Sequence, residues 1–215
     1  MAAKLPPARP RDPLHPDRQG VNITPPAHAA FSPGWSAFDE SWAKLRLPAW
    51  QEHIVPAQAG RFVRWLELGS YEGRSALWTL ENILTHPKAR LTCVDAWSEP
   101  EVSARFDANV LGSAHAAKVT KIRARTFEAL RWINGPFDAV YVDADHQAKS
   151  ALQDAVMAWP LIREGGYLIW DDYQWSHPNP TKLPPKPGVD AFLKCWDGDY
   201  TLIHHGYQVI IRKDW

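Results

Sequence analysis

Carboxylates stand at the ends of several apolar runs in this 215-residue sequence. Asp95 ends the run ARLTCVD, Asp143 ends FDAVYVD, and Asp171 with Asp172 ends YLIWDD. Carboxylate oxygens that converge together with water suit a hard cation, with magnesium first and manganese or calcium as alternatives. Asp143, Asp171 and Asp172 are therefore predicted to bind Mg²⁺. In the alternative interpretation, Asp143 orients a cofactor amine and Asp172 caps a turn.

A histidine, His146, follows Asp143 by three residues. An imidazole with an ordinary pKa of about 6.5 can take a proton from a hydroxyl group near neutral pH. His146, with Asp143 beside it, is predicted to be catalytic, either as the base or as a neighbour of the metal. A structural histidine that only makes hydrogen bonds is the alternative.

Two glycines, Gly69 and Gly73, occur in the stretch LELGSYEGRS, after an apolar run and before an amphipathic one. They let a backbone approach a ligand closely, or they simply permit a tight turn between a strand and a helix. Their spacing matches neither the dinucleotide fingerprint nor the P-loop. Asp95, 26 residues beyond Gly69, is placed to accept hydrogen bonds from ribose hydroxyls. S-Adenosyl-L-methionine has a ribose without a pyrophosphate and meets this description.

Strand-like and helix-like segments alternate after Gly60, which predicts an α/β fold with a doubly wound, mostly parallel sheet. The last two apolar runs, DYTLIHHG and YQVIIRKD, are too close for a parallel crossover, so they predict an antiparallel hairpin at one edge. The helix-like segment SALQDAVMAWPLIREGG is expected to end at Gly165-Gly166. The predicted strands lie within 62–69, 89–97, 118–124, 137–145 and 167–173, with the hairpin bringing the total to seven.

Several motifs at these positions resemble those of class I S-adenosylmethionine-dependent methyltransferases. LELGSYEGRS is similar to their glycine-rich first motif and VDAW to their acidic second motif. VDADH, GGYLIWDDY and KPGVDAFL with QVIIRK resemble a bacterial group of small-molecule O-methyltransferases, related to the catechol, caffeoyl-coenzyme A and metal-dependent sugar enzymes. The resemblance covers about residue 61 to the C-terminus. It implies a Rossmann-like fold, S-adenosylmethionine as cofactor, and transfer of its methyl group to a hydroxyl oxygen.

The resemblance also implies which residues hold the cofactor. The glycine-rich loop would surround the methionine part, Asp95 the ribose, and the segment after the third strand the adenine. In many relatives this last segment reads glycine, acid, serine, and Arg125 departs from that pattern. The predicted cofactor-binding residues are Glu67, Gly69, Ser70, Tyr71, Gly73, Ser75, Asp95, Ala96, Trp97, Ala124, Arg125, Thr126 and Asp143.

The sequence divides into three predicted parts. Residues 1–27 are rich in proline and charge and are expected to form a disordered tail. Residues 28–60 are expected to form a helical cap segment, with Pro48 opening its second helix. Residues 61–215 are the predicted methyltransferase domain.

Composition limits the partners and the compartment. Lys plus Arg balance Asp plus Glu, 24 against 24, which disfavours nucleic acid and an anionic membrane as partners. There is no apolar signal core, and Cys93 and Cys195 form no metal-spaced pair, so a reduced, cytoplasmic protein is expected. The predicted partner is a small molecule with a hydroxyl group, and a homo-oligomer is compatible with the sequence. Rival interpretations are a metal-independent N- or O-methyltransferase, a non-catalytic scaffold, and a nicotinamide-dependent oxidoreductase.

Overall fold

The computed structural model describes residues 35–215, with side chains from Trp42 onward. The predicted tail, residues 1–27, and the first part of the predicted cap segment lie outside the described residues. The described chain begins with a helix and continues into one sheet with helices on both faces.

Seven strands form the sheet in the order β3-β2-β1-β4-β5-β7-β6. Strands β1 to β5 pair in parallel, whereas β7 is antiparallel to both β5 and β6. The predicted fold class is confirmed, including the C-terminal antiparallel hairpin. The strands are β1 (Arg64–Leu68), β2 (Arg90–Asp95), β3 (Val119–Arg123), β4 (Phe137–Val142), β5 (Ile162–Trp170), β6 (Tyr200–His205) and β7 (Val209–Lys213).

The strand order of the sheet reverses between the neighbouring strands β1 and β4. Strands β2 and β3 extend the sheet on one side of β1, and β4 and β5 extend it on the other. Loops leaving the carboxyl ends of β1 and β4 therefore diverge and open a crevice, which is where ligands bind in open α/β sheets.

Helices cover both faces of the sheet. Short π or 3₁₀ turns extend α1, α4 and α6 at their carboxyl ends. The α-helices are α1 (Trp35–Ala49), α2 (Val55–Gln58), α3 (Arg74–Asn82), α4 (Pro100–Phe106), α5 (Thr126–Ala129), α6 (Ala148–Ala158) and α7 (Lys186–Cys195).

Tryptophans fill one of the two cores. Trp50, fully buried, lies 5.6 Å from Trp65, 5.6 Å from Trp78 and 5.0 Å from Tyr141 between ring centroids. Successive side chains of a strand point to opposite faces, so Trp65 enters this core while Leu66 enters the other. The segment that follows α1 is thus packed directly against the central strands.

The predicted helix stop at Gly165-Gly166 is wrong. Helix α6 ends at Ala158, and β5 has already begun at Ile162. Pro160 lacks the N–H that would continue the helix, and the chain passes through a 3₁₀ turn into the strand. The two glycines lie within β5, where its register with β4 shifts, and Gly165 has a φ of 72°. They accommodate a bulge and do not end a helix.

The prediction that Pro48 opens a second helix is wrong. It lies inside α1, which continues directly into a π turn at Trp50–Ile54. A proline in a helix removes one hydrogen bond. Burial of Leu47, Trp50 and Ile54 holds the segment helical in spite of that loss.

None of the helices in residues 35–215 combines the length and apolarity needed to cross a membrane.

Candidate active site

A cavity of about 370 Å³ lies at the carboxyl ends of β1, β2, β4 and β5. It is the crevice that the reversal between β1 and β4 creates. The lining residues are Trp42, Arg46, Gly69, Ser70, Tyr71, Arg74, Ser75, Asp95, Asp143, Ala144, His146, Asp172, Trp175 and Tyr207. Many of the residues predicted from the sequence are in this set.

The loop after β1 passes very close to β4. Gly69 has a φ of 89°, and its N–H donates to Val94 O at 2.8 Å. A Cβ at Gly69 would lie 2.0 Å from the carbonyl oxygen of Asp143, well inside any real contact. Gly73 has a φ of 86°, and a Cβ there would lie 2.2 Å from the Cγ2 atom of the Val110 side chain. Both predicted glycines are therefore required by the backbone itself.

Asp95 ties this loop to β2. Its Oδ2 accepts the N–H groups of Ser70 at 3.1 Å and Tyr71 at 2.9 Å. Its Oδ1 accepts the N–H of Trp97 at 2.7 Å, and the Trp97 indole donates to Tyr71 O at 2.7 Å. A carboxylate can accept about four hydrogen bonds, so Asp95 still has acceptor capacity on the cavity side. The predicted ribose acceptor also organises the loop.

Strained backbone is concentrated around the cavity. Within the described residues, the non-glycine positions with positive φ are Tyr71, Trp97, His146 and Asp172. Three of them line the cavity, and the fourth donates to Tyr71. Each such conformation costs about 1–3 kcal/mol and tends to persist where function requires it.

Glu67 lies beneath the loop and is fully buried. Its Oε1 accepts the Ser75 hydroxyl at 2.8 Å, while its Oε2 has no hydrogen-bond partner within the described residues. Burial raises the pKa of Glu67 to about 8. At neutral pH this carboxyl is therefore mostly protonated, and its partner Ser75 lines the cavity.

Replacement of Glu67 by Gln is expected to change the pH dependence of stability. The native state holds a proton that the unfolded chain releases above its pKa of 4.5, so the wild-type free energy of unfolding should fall as pH rises from about 5 to 8. The slope contributed by one such group is at most about 1.4 kcal/mol per pH unit. Urea unfolding of both proteins at three pH values measures it. A Glu67→Gln protein whose stability falls as steeply as that of the wild type would contradict the assignment.

His146 and Asp172 form a close pair at the mouth of the cavity. His146 Nδ1 lies 2.7 Å from Asp172 Oδ2, and the histidine side chain is 43 % exposed. Burial alone would lower the pKa of His146, but the hydrogen bond and charge of Asp172 outweigh it and raise the pKa. With Nδ1 directed at Asp172, the Nε2 atom is available to a ligand.

Asp143 lies on the inner side of this pair. Its Oδ1 is 3.9 Å from His146 Nδ1, and its Oδ2 is 3.1 Å from the Tyr141 hydroxyl, which also lies 2.8 Å from Asp171 Oδ2. One hydroxyl hydrogen cannot serve both carboxylates. Burial, followed by the charges of Asp171 and Asp172, raises the pKa of Asp143 well above its usual value. The raised pKa makes Asp143 hold a proton more strongly than an exposed carboxyl does.

Asp171 does not face the cavity as its neighbour does. It is buried, and the guanidinium of Arg46 pairs with it through Nε. The group of residues whose ligand atoms lie within 4.8 Å of one another consists of Asp143, His146 and Asp172. The structure therefore brings together two of the three predicted metal ligands with the predicted base, and directs the third to an arginine.

The predicted adenine segment lies beside Asp95 without lining the cavity. The N–H of Ala124 donates to Asp95 O at 3.0 Å, and Arg125 precedes the first residue of α5, Thr126. Ala96 is exposed on the same edge. These residues continue the surface on which a ligand bound at Asp95 would extend.

A family profile described as a methyltransferase domain matches residues 66–173, which are 108 of the 215 residues. The chain belongs to this family. The match begins in β1 and ends just after Asp172, so it includes every strand end that contributes to the cavity.

Three individual proteins are similar to this chain, with between 18 % and 24 % identity over the aligned residues. An uncharacterised protein, R132, of Acanthamoeba polyphaga mimivirus is 24 % identical over 151 residues, covering 66 % of this chain and 68 % of that one. The O-methyltransferase TomG of Streptomyces achromogenes, involved in tomaymycin synthesis and solved with S-adenosylmethionine, has a TM-score of 0.57 at 21 % identity, covering 87 % of this chain and 82 % of that one. MycE, a methyltransferase of the mycinamycin pathway solved with Mg, S-adenosylhomocysteine and mycinamycin VI, has a TM-score of 0.55 at 18 % identity, covering 78 % of this chain and 48 % of that one.

The matched family makes the protein a methyltransferase, and its fold agrees with that of solved methyltransferases. Several cavity residues of the methyltransferase were not singled out from the sequence. Arg46 and Trp42 come from α1, Trp175 from the proline-rich loop after β5, and Tyr207 from the turn before β7. No motif in the sequence marked these individual residues.

Proposed function

We propose that this methyltransferase transfers the methyl group of S-adenosylmethionine to a hydroxyl oxygen of a small molecule, with His146 as the base. The observation that carries the proposal is the His146–Asp172 pair, 2.7 Å apart, which opens into the same cavity as the glycine loop and Asp95. A hydroxyl group must lose its proton as it attacks, whereas the methyl donor needs only correct alignment.

In this proposal the cofactor lies along the loop after β1. The methionine part contacts Gly69, Ser70, Tyr71 and Ser75, and the ribose hydroxyls donate to Asp95. The adenine extends over Ala96 and the segment Ala124, Arg125 and Thr126, while the buried Trp97 supports the loop through its hydrogen bond to Tyr71 O. Glu67 and Gly73 act from below, since neither lines the cavity. Arg74 lines the cavity beside Ser75 and supplies positive charge near the carboxylate of the methionine part.

Replacement of Asp95 by Ala is expected to weaken the binding of S-adenosylhomocysteine by about 1–3 kcal/mol, because hydrogen bonds to a charged acceptor are lost. The variant also loses the acceptor of the Ser70 and Tyr71 N–H groups, so the loop becomes less ordered. Calorimetric titration measures the affinity.

A matched control for this variant is Asp138→Ala. Asp138 also accepts a backbone N–H, that of Arg64 at 2.7 Å, but it lies near the amino end of β4, away from the cavity. Asp138→Ala should lower stability and leave affinity unchanged. Equal affinities of wild-type and Asp95→Ala protein would refute the ribose assignment.

The acceptor is proposed to be a sugar, a phenol or a natural-product hydroxyl. Trp42, Trp175 and Tyr207 contribute aromatic surface to the cavity, and Trp175 lies 5.4 Å from the His146 ring between centroids. Flat aromatic walls suit sugar rings and aryl groups. An acceptor bound against these rings would lie next to the proposed base.

The predicted magnesium ion does not fit the ligand set Asp143, Asp171 and Asp172. Both oxygens of Asp171 already accept hydrogen bonds, Oδ2 from Arg46 and Tyr141 and Oδ1 from the Asp172 N–H and Gln208. The remaining group of Asp143, His146 and Asp172 includes an imidazole, which Mg²⁺ accepts less readily than oxygen. The proposed reaction therefore uses no step through a metal.

A panel of sugars, phenols and amines with labelled S-adenosylmethionine tests the proposal, run with magnesium and with chelator. Methylated hydroxyl products, located by mass spectrometry, are expected. Methylation of amines alone would favour the N-methyltransferase alternative. Cofactor binding without any turnover over the whole panel would favour the scaffold.

A further inference from the structure

Arg46 supplies a buried positive charge to the acidic site. It lies in the last turn of α1, is 5 % exposed, and lines the cavity. Its Nε donates to Asp171 Oδ2 and its Nη2 donates to Asp172 Oδ1 at 2.8 Å. One guanidinium thus bridges two adjacent carboxylates that would otherwise repel each other.

The surroundings of Arg46 hold it in this position. Its guanidinium lies 4.9 Å from the centroid of the Tyr207 ring, and the Tyr207 hydroxyl donates to Asp172 Oδ1 at 2.8 Å. Trp50, one turn later, packs against Tyr141, whose hydroxyl contacts Asp171. The contacts of Tyr207 and Trp50 therefore hold the helical segment of Arg46 against the two acids that follow β5, on either side of the ion pair.

The position of the guanidinium is the one that a divalent cation would need in order to bind Asp171 and Asp172 together. Asp171 has no acceptor position left, and Asp172 Oδ1 is shared by Arg46 and Tyr207. The oxygen that remains, Asp172 Oδ2, faces His146. A cation could bind the two acids only if Arg46 moved away.

We propose that Arg46 is the built-in cation of this site: it takes the place of a divalent metal between Asp171 and Asp172 and positions Asp172 to orient His146. The orientation of His146 rests on the proposed function, whereas the replacement of a metal by Arg46 does not. Arg46 is a positioning residue in this scheme. Methyl transfer is then independent of added metal, and the N-terminal helix is part of the active site.

Binding of Mn²⁺, followed by electron paramagnetic resonance on the full chain, tests the first part without any acceptor. Replacement of Arg46 by Met removes the charge and leaves three carboxylates facing one another, so Mn²⁺ should bind this variant at least about tenfold more tightly than the wild type. The gain should disappear in Arg46→Met combined with Asp172→Asn. Arg46→Lys keeps the charge and should bind Mn²⁺ as weakly as the wild type.

A matched control is Arg163→Met, since Arg163 pairs with Asp138 at the amino ends of β5 and β4, away from the cavity, and should not affect Mn²⁺ binding. Wild-type protein that binds one equivalent of Mn²⁺ tightly, and loses it in Asp172→Asn, would overturn the proposal whether or not Arg46→Met folds. A folded Arg46→Met protein with wild-type affinity for Mn²⁺ would also overturn it. Binding of S-adenosylhomocysteine by the same samples reports separately on the cofactor site.

Discussion

Replacement of His146 by Ala is expected to lower the turnover number of methyl transfer by about 10²- to 10⁴-fold, the usual contribution of a positioned base. The imidazole is held by Asp172 at 2.7 Å, and its free nitrogen faces the cavity. The affinity for S-adenosylhomocysteine should not change, since His146 makes no contact with Asp95. Steady-state kinetics with a hydroxyl acceptor from the panel measure the effect.

The pH profile adds a second readout for His146. The wild-type rate should rise with pH through a pKa above the ordinary 6.5, because the raised pKa keeps the base protonated below it. This rise should be absent from the residual activity of His146→Ala. His115→Ala is the matched control, as His115 lies just before β3 at the edge of the sheet away from the cavity. A His146→Ala rate within twofold of the control would remove His146 from the mechanism.

Replacement of Gly69 by Ala is expected to lower the free energy of unfolding by about 2–5 kcal/mol. Two effects add: a φ of 89° costs an alanine about 1–2 kcal/mol, and overpacking costs about 1–3 kcal/mol. The new Cβ would lie 2.0 Å from Asp143 O, and neither atom can rotate away because the backbone fixes the position of both. Any folded variant must shift the loop, so cofactor affinity should fall as well.

Gly198→Ala separates the two effects. Gly198 has a φ of 93°, nearly that of Gly69, but a Cβ there would meet nothing within 4 Å. The Gly198→Ala protein should lose only the conformational contribution to the free energy of unfolding, about 1–2 kcal/mol, and should keep its cofactor affinity. Chemical denaturation of both variants gives the comparison. Equal losses in the two would show that crowding against β4 is not what Gly69 avoids.

The fold could be predicted largely because apolar runs and helix-like segments alternate in the sequence. Parallel topology then places the carboxyl ends of β1 to β5 on the same side of the sheet. That rule is sufficient to bring Asp95, Asp143, His146 and Asp172 to one cavity, although they are up to 77 residues apart. The predicted helix stop at Gly165 failed because a glycine pair marks a helix end and a strand bulge equally well.

The error over Asp171 has a different origin. Both residues follow β5, and both contact Arg46, which lies 125 residues before Asp171. The oxygens of Asp171 also accept from Tyr141, Gln208 and the Asp172 N–H, whereas Asp172 keeps Oδ2 for His146. Nothing in the local sequence around Arg46 marks it as a partner, since the contact exists only once α1 packs on the sheet.

Calorimetric titration of the full chain with S-adenosylhomocysteine, once with magnesium and once with chelator, tests the central claim most directly. We expect micromolar binding with the same affinity in both conditions, weakened in Asp95→Ala and unchanged in Asp138→Ala. Absence of binding in both conditions would contradict the claim that this cavity holds the cofactor, and the two glycines would then serve only the turn between β1 and α3.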